Sequence, residues 1–192
     1  MPGYVKPPVN GRVNGTMEMI PSIHSQTPLT IKGAVSQTAN LLNIQNSAGT
    51  SIGFIDASGR HIIPNQPTAS GAKTNVGGTA APGVIVWDSA PVNAGSHYNT
   101  SNGIFTAPIT GNYLAYAGVI AYTDNYGYLD IQRNGSTVFW SHFNQSVGQW
   151  HWLTVSSIVR MSANDTLNFN YRGPSSGYYG SNHNQFYIAL VS

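Results

Sequence analysis

Three groups of residues in this sequence have the types and spacing to do chemistry at a surface. The first is the run 172–184, Arg-Gly-Pro-Ser-Ser-Gly-Tyr-Tyr-Gly-Ser-Asn-His-Asn. Tyrosine gives a large amphipathic contact at small entropic cost, and Ser, Gly and Asn give adaptable hydrogen bonds. Tyr178 and Tyr179 could stack on the apolar face of a sugar ring while Asn182 and His183 take its hydroxyls. The competing reading is an exposed loop without a ligand. The second group is Trp150 and Trp152, which share one face of a strand. Exposed, they form a stacking platform; covered, they belong to an oligomer interface. The covered reading is favoured, because large aromatics are enriched at such contacts. The third group is Thr123-Asp124-Asn125-Tyr126-Gly127, where Tyr126 stands beside a carboxylate and an amide. Its composition is that of a solvated turn.

Catalytic chemistry is poorly provided for. The acids are Glu18, Asp56, Asp88, Asp124, Asp130 and Asp165, and no two stand close in sequence as a glycosidase pair would. Strands distant in sequence could still bring Asp88, Asp124 or Asp130 together. The histidines at 24, 61, 97, 142, 151 and 183 lack metal-ligand spacing. No Gly-x-Ser-x-Gly elbow and no cysteine nucleophile occur. His151 falls in an apolar register, which reads as a satisfied core histidine. The expectation is a protein that is not an enzyme.

Composition narrows the class. Only 7% of residues are charged, against about 25% in ordinary soluble domains. Solubility must therefore come from Asn, Gln, Ser, Thr, Gly and Tyr. The net charge is +2 and the basic residues are scattered from Lys6 to Arg172. No basic stripe can grip phosphates, which argues against nucleic acid. Without cysteine there is no disulfide framework and no thiolate metal site. The N-terminal residues carry no secretory pattern, and no run of about 18 apolar residues suggests membrane insertion. Action outside the cell would then need another exit, such as release of virus particles by lysis.

The elements that must position these groups are strands. Residues 1–28, with Pro2, Pro7, Pro8, Pro21 and Pro28, read as an extended arm that attaches to a larger particle, or equally as a disordered tail. Residues 29–63 read as strand–turn–strand–turn–strand, with Gly49 and Gly59 closing the turns. So short a segment cannot bury its apolar face alone, so a threefold interleaved stem is expected. Residues 64–82, low in hydrophobics and rich in Gly, Pro, Ala, Thr and Ser, read as a linker. From residue 83 to 192 the pattern is strand after strand. Asn134-Gly135 marks a hairpin. Over 150–161, His151, Leu153, Val155, Ser157, Val159 and Met161 share one face. The spacing predicts an all-β sandwich or barrel.

The stretch Gly103-Ile-Phe-Thr-Ala-Pro-Ile-Thr-Gly-Asn-Tyr113 resembles the most distinctive segment of the complement component-one-q globular head family, a branch of the tumour-necrosis-factor-like jelly rolls. Asn134-Gly135, Asn164-Asp165-Thr166-Leu167 and Phe186-Tyr-Ile-Ala-Leu-Val191 resemble later segments of that family, in order. The resemblance implies a ten-stranded jelly roll, a homotrimer and a binding role. It makes Phe105, Pro108, Gly111 and Tyr113 the fold motif, with Phe105 in the core and Gly111 permitting the turn before the long strand. Some family members bind calcium, and Asp124 is the weak candidate here; no other cofactor is implied. No Gly-X-Y collagen period precedes the head. Residues 40–59, NLLNIQNSAGTSIGFIDASG, instead resemble a short stem motif of bacteriophage tail fibres.

The expected whole is a trimeric virion fibre on the tail or capsid surface. Its arm holds other virion proteins, and its jelly-roll head binds a host cell-surface glycan. Two alternatives stand beside it: a decoration or tail-plug protein that binds no receptor, and a polysaccharide-degrading tailspike.

Overall fold

The computed structural model describes residues 27, 29–74, 79–80, 82–123, 126–144, 149–173, 178–179 and 183–192. The expected arm, residues 1–28, lies almost wholly outside them. The chain divides into two compact units, residues 1–62 and 63–192.

The first unit contains a three-stranded antiparallel sheet: β1 (Leu42–Gln45), β2 (Ser51–Ile55) and β3 (His61–Ile62). Its two turns use one device twice. The Asn46 side chain accepts from the backbone N–H of Ala48 and Thr50 at 3.0 and 2.9 Å. Asp56 accepts from Ser58 and Arg60, both at 2.9 Å. Gly49 and Gly59 complete the turns at φ 81° and 82°, a region where a Cβ is strained. Leu42, Ile44 and Ile52 are exposed on this sheet.

The second unit holds β4 (Thr68–Ala72), β5 (Thr79–Ala80), β6 (Gly83–Val84), β7 (Ser89–Ala94), β8 (Tyr98–Asn99), β9 (Ile104–Thr106), β10 (Gly111–Thr123), β11 (Tyr126–Arg133), β12 (Ser136–Asn144), β13 (Gln149–Met161), β14 (Thr166–Arg172), β15 (Tyr178–Tyr179) and β16 (Gln185–Leu190). They form two antiparallel sheets. The larger runs β5-β15-β10-β16-β4-β7, with β13 also on β10. The smaller runs β12-β11-β14-β9-β8, with β6 also on β14. The described residues of this unit thus carry thirteen strands rather than ten. The excess is in two-residue strands such as β5, β6, β8 and β15, too short to show as apolar runs.

The segment 64–82 is not merely a linker. Thr68–Ala72 pairs with β16 on one side and β7 on the other. Its small residues are demanded by close packing. Ala69 is fully buried, and a Cβ at Gly71 would collide with the Ser89 carbonyl. Small size, which in isolation reads as flexibility, here reflects lack of room.

The core lies between the two sheets. Trp87 stacks on Phe186 with centroids 5.4 Å apart and meets Phe169 edge-on at 6.2 Å. Phe105 and Tyr113 are both fully buried and meet edge to face at 5.6 Å. Tyr98 is buried and its hydroxyl accepts the backbone N–H of Trp87 at 3.0 Å. Burial holds its pKa well above the ordinary tyrosine value. The alternation read over 150–161 is present in β13. Leu153, Val155, Val159 and Met161 are buried, and Trp152, Ser156, Ile158 and Arg160 are exposed. Gly111 plays a different part from the one expected. Its φ is not positive; a Cβ there would press on Leu190 and the Ser192 carbonyl. It allows the C-terminal strand to approach, whereas Pro108 follows β9 in the turn.

Candidate functional site

Two outward faces of the second unit carry side chains that the core does not use. The first is the outer face of β11, β12 and β14. Strand alternation brings Tyr126, Tyr128 and Asp130 of β11 to this face. The ladder sets Tyr128 between His142 and Arg172, and Asp130 between Trp140 and Asn170. The His142 ring lies stacked against Tyr128, 5.6 Å away and inclined by 19°. The Arg172 guanidinium sits 4.8 Å over the same Tyr128 ring. Trp140 is 5.9 Å from Tyr128 and 5.2 Å from His142. Tyr126 meets Tyr128 edge-on at 5.9 Å. The result is a continuous aromatic floor in which Trp140 is 55% exposed.

One charge pair underlies that floor. Arg172 Nε and Nη2 donate to Asp130 Oδ2 and Oδ1 at 2.6 and 2.9 Å. The Thr137 hydroxyl adds a third bond to Oδ2 at 3.2 Å. The Asp130 carboxylate is fully buried, while the Arg172 side chain is half open to water. Hydrogen bonding to Asp130 raises the guanidinium pKa above its ordinary value.

The second face is the outer side of the larger sheet. Leu114, Tyr116 and Ile120 of β10 lie beside Ile158, Ser156 and Trp152 of β13. On the other flank Leu114 and Tyr116 meet Ala189 and Tyr187 of β16. Trp152, Ile158 and Tyr187 are exposed, as is Val92 of β7. Gly118 makes room for this layer: a Cβ there would strike the Trp152 indole and the Tyr116 hydroxyl. Among the described residues of this face the one ionised side chain is Arg160, near the end of β13.

The residues singled out from the sequence are dispersed. Trp150 and Trp152 lie on the second face, both exposed in the single chain. Tyr126 belongs to the aromatic floor. Tyr178 is buried, its ring edge-on to Tyr171 at 5.7 Å, so it serves the core and offers no open face to a sugar. The backbone of Tyr179 pairs with Thr79. His183 is exposed in a turn. The end of that run is anchored, since buried Asn184 accepts the Ile120 N–H at 2.9 Å. Asp124 and Asn182 lie outside the described residues. His151 is half-buried, its ring 5.1 Å from Phe143. The sequence reading does not single out Trp140, Tyr128 or His142, and it includes Arg172 only as the start of the 172–184 run. Alternation along 126–132 and 168–172 was the available signal, but it does not reveal which strands lie side by side. Among the described residues no cluster of three His, Cys, Asp or Glu could hold a metal ion.

Two antiparallel sheets enclosing one aromatic core define a jelly-roll fold of the kind seen in C1q globular domains. The chain belongs to the C1q domain family, matched over residues 69–188. Domains of this family are typically non-enzymatic binding or structural modules. Solved structures agree on the fold. The globular domain of zebrafish complement 1qA superposes with a TM-score of 0.55 at 11% identity, covering 66% of this chain and 98% of that one. Murine APRIL at pH 5.0 gives 0.54 at 13% identity, covering 66% and 99%. Murine APRIL at pH 8.0 gives 0.52 at 14%, covering 65% and 98%. No curated protein matches the chain.

Proposed function

We propose that this chain forms a homotrimeric, non-catalytic binding head whose ligand is a cell-surface carbohydrate. The observation that carries assembly is the outer face of the larger sheet. Leu114, Ile158, Trp152 and Tyr187 make it apolar, and among the described residues Arg160 alone brings charge near its edge. A contiguous apolar face of this kind marks an interaction surface. A second and a third copy of the same chain suit it, because trimeric assembly is the habit of the family that the sequence matches. In the trimer Trp150 and Trp152 are interface residues, which leaves the aromatic floor of the other sheet as the exposed recognition surface.

Threefold repetition also suits a weak ligand. One shallow sugar site binds poorly, while three on one head gain avidity without new contacts. The exposed apolar side chains of β1 and β2 fit a stem that is completed by copies of itself. The setting on a bacteriophage fibre rests on residues 40–59 and their position before the head. Sedimentation velocity on the full chain tests assembly: a species of three times the 20.5 kDa chain mass is expected. A well-folded single subunit at micromolar concentration would refute it.

A further inference from the structure

Resting on the carbohydrate reading above, we infer that the floor formed by Trp140, Tyr128, His142 and Arg172 is the saccharide site, and that it selects an uncharged pyranose. Four observations lead there.

The floor is built from side chains that the core does not require. Solvent faces of sheets ordinarily carry polar residues, yet here aromatic rings occupy neighbouring positions on two adjacent strands. Trp140 is exposed. An exposed indole in a fixed layer is a surface on which the C–H face of a pyranose can lie.

The rings are held in place before any ligand arrives. Tyr128 is braced by the imidazole of His142 from β12 and by the guanidinium of Arg172 from β14. Arg172 is itself fixed by two bonds to Asp130. Side chains already ordered lose little entropy on binding.

The rim supplies hydrogen bonds suited to hydroxyls. Arg172 retains N–H donors beyond the two that Asp130 accepts. Asn170 pairs with Asp130 in the ladder and is half-buried beside it.

Charge then decides the sugar class. The one cation of the described floor, Arg172, is compensated by the buried carboxylate of Asp130. Arg133 faces away, where its Nη1 donates to the Arg160 carbonyl at 2.7 Å. A sialic acid, uronate or sulfated sugar would find no uncompensated partner, whereas a neutral hexose loses nothing by this.

The test uses the full chain on an array of immobilised oligosaccharides. Neutral ones end in glucose, galactose, mannose or N-acetylglucosamine; anionic ones carry sialic acid, uronate or sulfate. Binding to one or more neutral glycans is expected, insensitive to added salt. Trp140→Ala should weaken it about tenfold, the value of roughly one lost stacking contact, with trimer mass and melting temperature unchanged. Binding confined to anionic glycans, or a Trp140→Ala protein that binds like the parent, would overturn the site while the carbohydrate reading stands. Binding to no glycan at all would overturn both.

Discussion

Arg172 and Asp130 are joined by two hydrogen bonds across the β11–β14 ladder, 42 residues apart in sequence, with the carboxylate fully buried and the guanidinium half exposed. The pair has two roles. It neutralises the carboxylate that β11 carries beneath its outer face, and it fixes the cation that braces Tyr128. Arg172→Leu therefore leaves a buried charge with the Thr137 hydroxyl as its remaining side-chain bond among the described residues. We expect a loss of about 2 kcal/mol, below the roughly 3–5 kcal/mol of a fully buried pair because water reaches Arg172. Urea denaturation of parent and variant measures it, and an unchanged midpoint would contradict the burial of Asp130.

The apolar face of the larger sheet gives a second expectation. Ile158 is 59% exposed in the single chain and lies beside Leu114. Ile158→Glu should leave the fold of each subunit intact, since the side chain is outside the core. It should dissociate the trimer, because a carboxylate in an apolar contact is desolvated without a partner. Light scattering after size exclusion should show the mass falling to that of one chain.

Strand β4 is the third case. A fragment starting at residue 83 lacks β4 and exposes the β16 edge that β4 covers. It also strips cover from Phe186 and Ile188, which lie opposite Gly71 and Ala69. We expect that fragment to aggregate and the fragment 63–192 to fold. Circular dichroism and solubility distinguish them; a soluble, cooperatively melting 83–192 would return 64–82 to the status of a linker.

Buried tyrosines set an alkaline limit. Burial pushes the Tyr171 hydroxyl up to about 12 from 10.0, and that of Tyr178 likewise to about 12. The unfolded chain releases these protons near pH 10, whereas the folded chain keeps them until about pH 12. Their contribution to stability is thus fully present below pH 10 and is lost as pH rises through the window up to about 12. Tyr171→Phe should make that decline shallower by one proton. At neutral pH it should cost less than about 1 kcal/mol or stabilise, since the Tyr171 hydroxyl is buried with no hydrogen-bond partner among the described residues. Melting temperatures of both proteins across the alkaline range check the two statements.

Much of the fold was legible because strands announce themselves locally. Alternation exposed the two faces of β13, and Asn134-Gly135 marked the β11–β12 hairpin, with φ 50° and 75° at its centre. The motif around Phe105 and Tyr113 indicated the family and located the core. At β4 linker and strand read alike in the sequence, because a small residue looks the same whether it is small for flexibility or for lack of space. The company of Ser, Gly and Tyr makes Tyr178 read as a binding-loop residue and carries no information about Tyr171 packing against it.

The aromatic floor shows where local reading ends. The hairpin turn pairs Arg133 with Ser136, and that register carried onward would set Tyr128 opposite Ser141. A bulge at Val138 shifts the ladder by one residue, so that Tyr128 meets His142 and Asp130 meets Trp140. By itself the sequence determined a weakly charged, strand-rich, C1q-like chain, because composition and period two act over neighbouring residues. The tertiary structure alone decided which side chains meet on the outer face. Cross-strand register and the Arg172–Asp130 pair join positions far apart in the chain, and a one-residue slip turns each side chain of a strand to the opposite face.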